Sequence, residues 1–139
     1  MGRIGVDLDG VFILPRVGWF NTDLKLPWWI FLGLIFVRPN RKAVEILKKL
    51  DERDIIFVSA RPKELENWTI RSLRFYKVPF SHLFCVGLGK GVAQRKLEVI
   101  RRMGIEKFID NDEEVVNFLR NNSIDAHLPG ELFAGELFE

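Results

Sequence analysis

Short apolar runs alternate with segments of helical periodicity along this chain of 139 residues. The apolar runs cover residues 3–8, 55–59, 83–86, 108–109 and 124–127. Each run is short enough to be a buried strand rather than a helix. Strands that alternate with helices are typical of repeated βα units. The pattern therefore predicts an α/β fold around a central, mostly parallel sheet.

Three segments between these runs repeat apolar residues on one helical face. The repeating residues are Ala43, Ile46, Leu47 and Leu50 in the first segment, Leu97, Ile100 and Met103 in the second, and Val115, Val116 and Leu119 in the third. A fourth helix is predicted over residues 63–75, because Pro62 suits a first turn, where its missing N–H would have no partner. The expected architecture is a three-layer, Rossmann-like α/β/α fold.

Residues 12–38 interrupt the alternation with a cluster of tryptophan and phenylalanine that follows no clear period. We expect a small insertion after the first strand, within a single domain that spans residues 1–139. The insertion would fold over the sheet edge, with a homodimer surface as the alternative. Its apolar run, residues 28–37, is about half as long as a helix that crosses a bilayer. A membrane span is therefore not expected, and contact with a membrane surface ranks behind the other two alternatives.

The remaining composition argues against several classes of partner. The net charge is +2, with basic residues spread among acidic ones, so no specific nucleic-acid partner is expected. Cys85 is the only cysteine, which excludes an internal disulfide and fits a reducing, cytoplasmic compartment. The N-terminus has no basic segment followed by a long apolar stretch, so no secretion signal is predicted.

Two carboxylates follow the first apolar run. Asp7 and Asp9 are separated by one residue, where the predicted strand opens into a loop. Like charges held this close are costly without a cation between them. The carboxyl ends of parallel strands are also where open α/β sheets bind their ligands. The sequence therefore predicts a metal site at these two residues.

Further polar residues follow the later strands. Ser59 and Ala60 leave a buried run just before a predicted helix, whose N-terminus favours anions through free N–H groups and the helix dipole. Lys96 lies at the head of the helix before the fourth strand, and Asp110 directly follows that strand. Because the carboxyl ends of parallel strands meet at one edge, we expect a nucleophile, phosphate-binding groups and a cation ligand to converge there.

This set of motifs resembles the haloacid dehalogenase-like (HAD) superfamily of phosphohydrolases over most of the chain. The first family motif, DxDx(T/V), is matched at every position by residues 7–11. The second, a Ser or Thr that ends a hydrophobic strand, is matched by Ser59, and the third, a lysine on or before a helix, is best met by Lys96. The fourth, acidic residues after a hydrophobic strand, is met by Asp110, although the common Asp-Asp pair is here Asp110-Asn111.

The resemblance implies a small-cap, HAD-like phosphatase that depends on magnesium. Asp7 would attack phosphorus and form an aspartyl-phosphate, while Asp9 would protonate the leaving oxygen and then activate water. Mg²⁺ would be bound by Asp7, by the backbone carbonyl of Asp9 and by Asp110.

The resemblance also implies that Ser59, Ala60 and Lys96 hold the substrate phosphate. Lys90, in a glycine-rich stretch, is the alternative to Lys96. The second acidic position beside the metal has three candidates, which are Asn111, Asp112 and Glu114.

The expected substrate is a small-molecule phosphate ester. A nucleotidase or polynucleotide phosphatase is the alternative within the same enzyme class. A non-catalytic scaffold that binds a protein or membrane surface through the aromatic insertion is the alternative of another class.

Overall fold

The computed structural model describes residues 2–8 and 41–130; Asp9, the predicted insertion at 12–38 and the segment 131–139 lie outside these residues. Strands and helices alternate along the described chain. The strands are β1 (Arg3–Val6), β2 (Ile55–Ser59), β3 (His82–Cys85), β4 (Ile105–Ile109) and β5 (Asp125–His127). The helices are α1 (Arg41–Lys48), α2 (Glu66–Phe75), α3 (Val92–Met103) and α4 (Glu113–Asn121).

All described strands pair in parallel, in the order β3-β2-β1-β4-β5. The chain moves outward from β1 to β3 and then returns to the other side of β1 for β4. In open α/β sheets, ligands bind outside the carboxyl ends of the strands at the point where the strand order reverses. That point lies between β1 and β4, so the residues that follow these two strands occupy the expected binding position.

Alternate residues of β2 face opposite sides of the sheet, as the period of a strand requires. Ile55 and Phe57 pack in one buried cluster with residues of α1 and α2, and Ile56 and Val58 pack in a second with residues of α3 and α4. Burying an aliphatic or aromatic side chain is worth about 1.5–3 kcal/mol. Helices thus cover both faces of the sheet, and the three-layer α/β architecture predicted from the sequence is confirmed.

The element boundaries differ from the predicted ones where the apolar pattern is broken. β4 begins at Ile105, before the predicted run at 108–109. The prediction was too short because Glu106 and Lys107 interrupt the apolar residues within the strand. The predicted helix at 63–75 is divided into a single 3₁₀ turn, Lys63–Leu65, and α2. Within the described ranges, no helix has the length and apolar character needed to cross a membrane.

Candidate active site at the sheet edge

The backbone places two of the predicted carboxylates side by side at the strand ends. Asp7 directly follows β1, and its N–H donates to the carbonyl oxygen of Ile109 in β4 at 2.8 Å. Asp110 directly follows β4, and its N–H donates to the carbonyl oxygen of His127 in β5 at 3.1 Å. Hydrogen bonding between the strands therefore continues through both aspartates, which fixes where their side chains leave the backbone.

Lys96 of α3 joins the two carboxylates. Its Nζ donates to Oδ1 of Asp7 at 3.2 Å and to Oδ2 of Asp110 at 2.5 Å. Because both oxygens contact the same nitrogen, they lie no further apart than these two distances together. The structure thus brings together three residues that the sequence analysis selected, and we call them the Asp7–Lys96–Asp110 triad.

The triad is buried to an extent that is unusual for charged groups. The side chains of Asp7, Lys96 and Asp110 are 7%, 3% and 1% exposed. Among the described residues, the buried polar or charged ones are these three together with Ser59 and Thr69. Four of these five are residues that the sequence analysis assigned to the site, so the polar interior of the described chain is concentrated at this edge of the sheet.

Two opposing effects act on the ammonium group of Lys96. Burial alone would lower the pKa of Lys96, because the charged form loses hydration. The charges of Asp7 and Asp110, together with their hydrogen bonds, outweigh burial and raise the pKa above the usual lysine value of 10.5. Lys96 is therefore a cation at neutral pH.

Asp110 is held in place by the start of α4. Its Oδ1 accepts the N–H of Asp112 at 2.9 Å, while its Oδ2 faces Lys96. The N-cap of α4 is Asp112, whose Oδ1 accepts the N–H of Glu114 at 2.9 Å. Asp112 is thus engaged in capping, which supports the helix N-terminus. Asn111 and Glu114 are exposed.

Ser59 ends β2 at the same edge and is fully buried. Its Oγ accepts the N–H of Arg61 at 3.0 Å, which leaves the hydroxyl proton to be donated to a ligand. Ala60 follows directly and is half-buried. The guanidinium of Arg61 donates to Oγ1 of Thr69 at 3.3 Å. Ser59 and Ala60 therefore lie where the sequence placed them, at the end of the strand next to β1.

Lys90 lies in the glycine-rich loop between β3 and α3. Its side chain is exposed, and its carbonyl oxygen accepts from Nη1 of Arg95 at 2.8 Å. Of the two candidate lysines, Lys96 is the one in contact with the described carboxylates.

Arg95 is a residue that the sequence analysis missed. Its guanidinium donates to the carbonyl oxygens of Val86, Gly87, Leu88 and Lys90 at 2.7–3.2 Å. The loop reaches these positions through three glycines with positive φ, a conformation that L side chains rarely adopt. An arginine four residues after the last of three alternating glycines was the available signal. Arg95 fixes the loop directly before the turn of α3 that carries Lys96.

We expect Arg95→Ala to destabilise the protein by about 1–3 kcal/mol, because several loop carbonyls lose a charged donor. Arg95→Lys should recover part of this loss, since one ammonium cannot reproduce the planar fork of a guanidinium. Urea denaturation measures both values. Arg101→Ala is the matched control, because Arg101 is exposed on the same helix and makes one long hydrogen bond of 3.5 Å. Equal effects for Arg95→Ala and Arg101→Ala would contradict a role for Arg95 in holding the loop.

The donor chemistry of this edge suits a hard divalent cation. Mg²⁺ is bound in proteins by one or two carboxylates together with water and substrate phosphate. Asp7 and Asp110 supply two converging carboxylates. In residues 2–8 and 41–130, no cluster of three or more histidine, cysteine, aspartate or glutamate side chains converges on a metal position. Asp9, the third predicted ligand and the predicted acid, lies outside these residues.

Comparisons with known proteins support the fold. No protein-family model matches the chain, and no curated protein sequence matches it. Among solved structures, it is similar to a chain of the Pnkp1/Rnl/Hen1 RNA repair complex, with 18% identity, a TM-score of 0.67, and coverage of 91% of this chain and 42% of the other. A second structure of the Pnkp1/Rnl/Hen1 complex has 17% identity, a TM-score of 0.68, and coverage of 91% and 45%. The chain thus spans less than half the length of these relatives, and the likeness is one of fold.

Proposed function

We propose that this chain is a magnesium-dependent phosphomonoester hydrolase that acts through an aspartyl-phosphate on Asp7. The observation that carries the proposal is the buried Asp7–Lys96–Asp110 triad at the point where the strand order reverses. This is the position at which open α/β sheets bind ligands. The pattern of motifs and the contacts between the residues that carry them point to the same site.

The burial of the triad is better explained by chemistry than by stability. A buried ion pair loses hydration that its attraction barely repays, and apolar residues of similar volume are often as stabilising or more so. Strongly perturbed, buried charges cluster at functional sites because catalysis needs them there. The burial of the triad therefore supports a role in catalysis more strongly than a role in stabilising the fold.

In the proposed reaction, a carboxylate oxygen of Asp7 attacks phosphorus and forms a P–O bond while the ester P–O bond breaks. The leaving oxygen takes a proton, for which Asp9 is the proposed donor. Water then attacks the aspartyl-phosphate with Asp9 as the base, and the products are inorganic phosphate and restored Asp7. Dividing one displacement into two easier steps is the advantage of a covalent carboxylate nucleophile.

The remaining residues would hold the phosphate. Ser59 has a hydroxyl proton to donate, Ala60 offers a backbone N–H at the same strand end, and Lys96 supplies a positive charge. Fixed donors of this kind stabilise the charge on the transferring phosphoryl group.

The carboxylates of Asp7 and Asp110, with the backbone carbonyl of Asp9, are the groups that would hold Mg²⁺. The ion would neutralise negative charge, so that an anionic nucleophile can approach an anionic ester.

The direct test is phosphate release from an aryl phosphate. We expect turnover with magnesium and its loss with EDTA, followed by recovery when magnesium is added in excess. The absence of turnover on a broad panel of phosphate esters would contradict the proposal. In that case a non-catalytic scaffold, the alternative of another class, would be favoured.

A polynucleotide phosphatase is the second candidate, favoured by the similarity in fold to chains of an RNA repair complex. Those chains belong to a multi-protein complex, which also makes binding of a protein partner worth testing. The same assay with end-phosphorylated RNA distinguishes the substrate classes. A polynucleotide phosphatase should show a higher kcat/KM on RNA than on the aryl ester, and this advantage should fall as salt increases.

A further inference from the structure

The segment 59–61, at the end of β2, is held by the residues that follow β3. Val86 donates its N–H to the carbonyl oxygen of Ser59 at 2.8 Å, and Gly87 donates its N–H to the carbonyl oxygen of Arg61 at 3.1 Å. Within the segment, the N–H of Arg61 donates to Oγ of Ser59 at 3.0 Å. Two consecutive residues of the neighbouring strand end therefore fix both ends of the segment.

Arg95 holds those two residues from α3. Its Nε donates to the carbonyl oxygen of Val86 at 2.7 Å, and its Nη2 donates to the carbonyl oxygen of Gly87 at 3.1 Å. The carbonyl of Val86 and the N–H of Gly87 belong to one planar peptide unit, in which the two groups point in opposite directions. The hydrogen bond from Arg95 to this carbonyl therefore aims the N–H of Gly87 at Arg61.

The same geometry sets the direction of the Ala60 N–H. The carbonyl of Ser59 and the N–H of Ala60 share one planar peptide unit. Because the carbonyl oxygen accepts from Val86, the N–H of Ala60 points away from Val86. The hydroxyl oxygen of Ser59 is placed as well, since it accepts the N–H of Arg61. Both phosphate-binding donors proposed for this segment are thus oriented by contacts with residues that Arg95 holds.

We infer that Arg95 is a positioning residue, which aims the phosphate-binding donors of the segment 59–61 through the end of β3. That the ligand is a phosphate group rests on the proposed function. Arg95 directly precedes Lys96 in α3, so one guanidinium group links the segment after β2 to the helix that supplies the phosphate-binding charge. Such a link matters because a displacement of about 1 Å, caused by a remote substitution, can cost about a hundredfold in rate.

Isothermal titration calorimetry with inorganic phosphate, in excess magnesium chloride, tests the inference. Arg95→Lys should weaken phosphate binding by about tenfold or more, because one ammonium group cannot reproduce a planar fork that holds several carbonyl oxygens. KM for an aryl phosphate should rise by a similar factor, since these donors contact the phosphate in the bound substrate as well as in the transition state.

Arg101→Lys is the matched control. Arg101 is exposed on the same helix and makes one long hydrogen bond of 3.5 Å. The same substitution there should leave the Kd for phosphate within about twofold of the unaltered protein.

The Kd separates positioning from stability. A residue that only stabilised the fold would lower the fraction of active protein, and with it the binding stoichiometry, while the folded molecules kept their Kd. Circular dichroism establishes whether Arg95→Lys is folded, and Arg95→Gln replaces it if it is not.

Amide hydrogen exchange gives a second measurement that needs no ligand. The N–H groups of Arg61 and Gly87 should exchange about tenfold faster or more in Arg95→Lys than in Arg101→Lys, because local opening of the segment becomes easier. Equal exchange of these two amides in both variants would contradict a link from Arg95 to the segment 59–61.

The outcomes also separate the inference from the proposed function. Unchanged Kd and KM in folded Arg95→Lys, with turnover by the unaltered protein, would overturn the inference and leave the hydrolase proposal standing. Weaker phosphate binding in Arg95→Lys, without turnover of any ester by the unaltered protein, would support the inference and contradict the hydrolase proposal. Neither phosphate binding nor turnover by the unaltered protein would overturn both.

Discussion

We expect Asp7→Asn to abolish phosphate release and to reduce kcat by at least about a thousandfold. Losses of this size follow when a covalent nucleophile is removed from other hydrolases. The amide of asparagine is a poor nucleophile and carries no charge to help hold a cation. The variant should remain folded, because Lys96 keeps its contact with Asp110 and asparagine has almost the volume of aspartate. Steady-state kinetics on an aryl phosphate, with a thermal melt of the same sample, measure both.

Asp125→Asn is the matched control for this prediction. It makes the same chemical change in β5, where the carboxylate is exposed and pairs with His127. Exposed ion pairs contribute little to stability, and Asp125 has no contact with the triad, so its kcat should stay within about twofold of the unaltered protein. If Asp7→Asn retained comparable turnover, Asp7 would not be the nucleophile.

Lys96→Met should give the largest loss of stability. Without the ammonium group, two buried carboxylates face each other, and at an effective dielectric constant near 20 two like charges about 4 Å apart repel by about 4 kcal/mol. Breaking a buried ion pair by removing one partner costs about 3–5 kcal/mol. For a domain of this size the melting temperature in EDTA should fall by roughly 10–15 °C. Lys90→Met should change stability by less than about 0.5 kcal/mol.

A double substitution tests whether charge repulsion is the cause. Lys96→Met combined with Asp110→Asn leaves one buried carboxylate instead of two. We expect the double variant to be more stable than Lys96→Met alone, so that the two free-energy changes do not add. Additive losses measured by urea denaturation would show that Lys96 contributes through packing rather than through its charge.

The pH dependence follows from the raised pKa of Lys96. Burial lowers this pKa, but the charges of Asp7 and Asp110 raise it by more than burial lowers it, so it lies above the usual 10.5. A group whose pKa is higher in the folded state contributes stability that is fully present below its unfolded value. The contribution is lost as the pH rises through the folded value. The deficit of Lys96→Met should therefore be present at neutral pH and should narrow only above about pH 10.5.

Much of the fold could be predicted because its strands are buried on both faces. β2 is an uninterrupted apolar run and appears at its predicted residues, since a strand covered by helices on both sides has no polar face. β4 was predicted too short because Glu106 and Lys107 lie within it near its amino end. Apolar runs locate the buried centre of such a strand better than its ends.

The choice between Lys90 and Lys96 needed three-dimensional structure. Both are lysines near the start of one helix, and nothing in their spacing says which of them faces the sheet edge. The structure distinguishes them. The guanidinium of Arg95 holds the loop that carries Lys90, while Lys96, the next residue of α3, contacts Asp7 and Asp110. A network of side chain to backbone hydrogen bonds leaves no periodic signal in a sequence.

Two residues of the candidate site could be selected from the sequence, because few structural roles explain a carboxylate at the end of a buried strand. Asp7 and Asp110 were selected on that ground, and the structure places both beside Lys96. The helix cap was harder to assign, since Asp110 and Asp112 are equally good capping residues by type and only the hydrogen bonds identify Asp112.

The members of the triad are far apart along the chain, with Lys96 lying 89 positions from Asp7 and 14 from Asp110. A fragment that lacks β1 carries the ammonium group and one carboxylate, and a fragment that ends before α3 carries only the other carboxylate. Neither piece alone carries all three members of the triad. If the proposed activity were recovered from two separately produced pieces divided between β1 and α1, the amino-terminal strand would have docked between β2 and β4. Phosphate release would then report the complete assembly of the sheet.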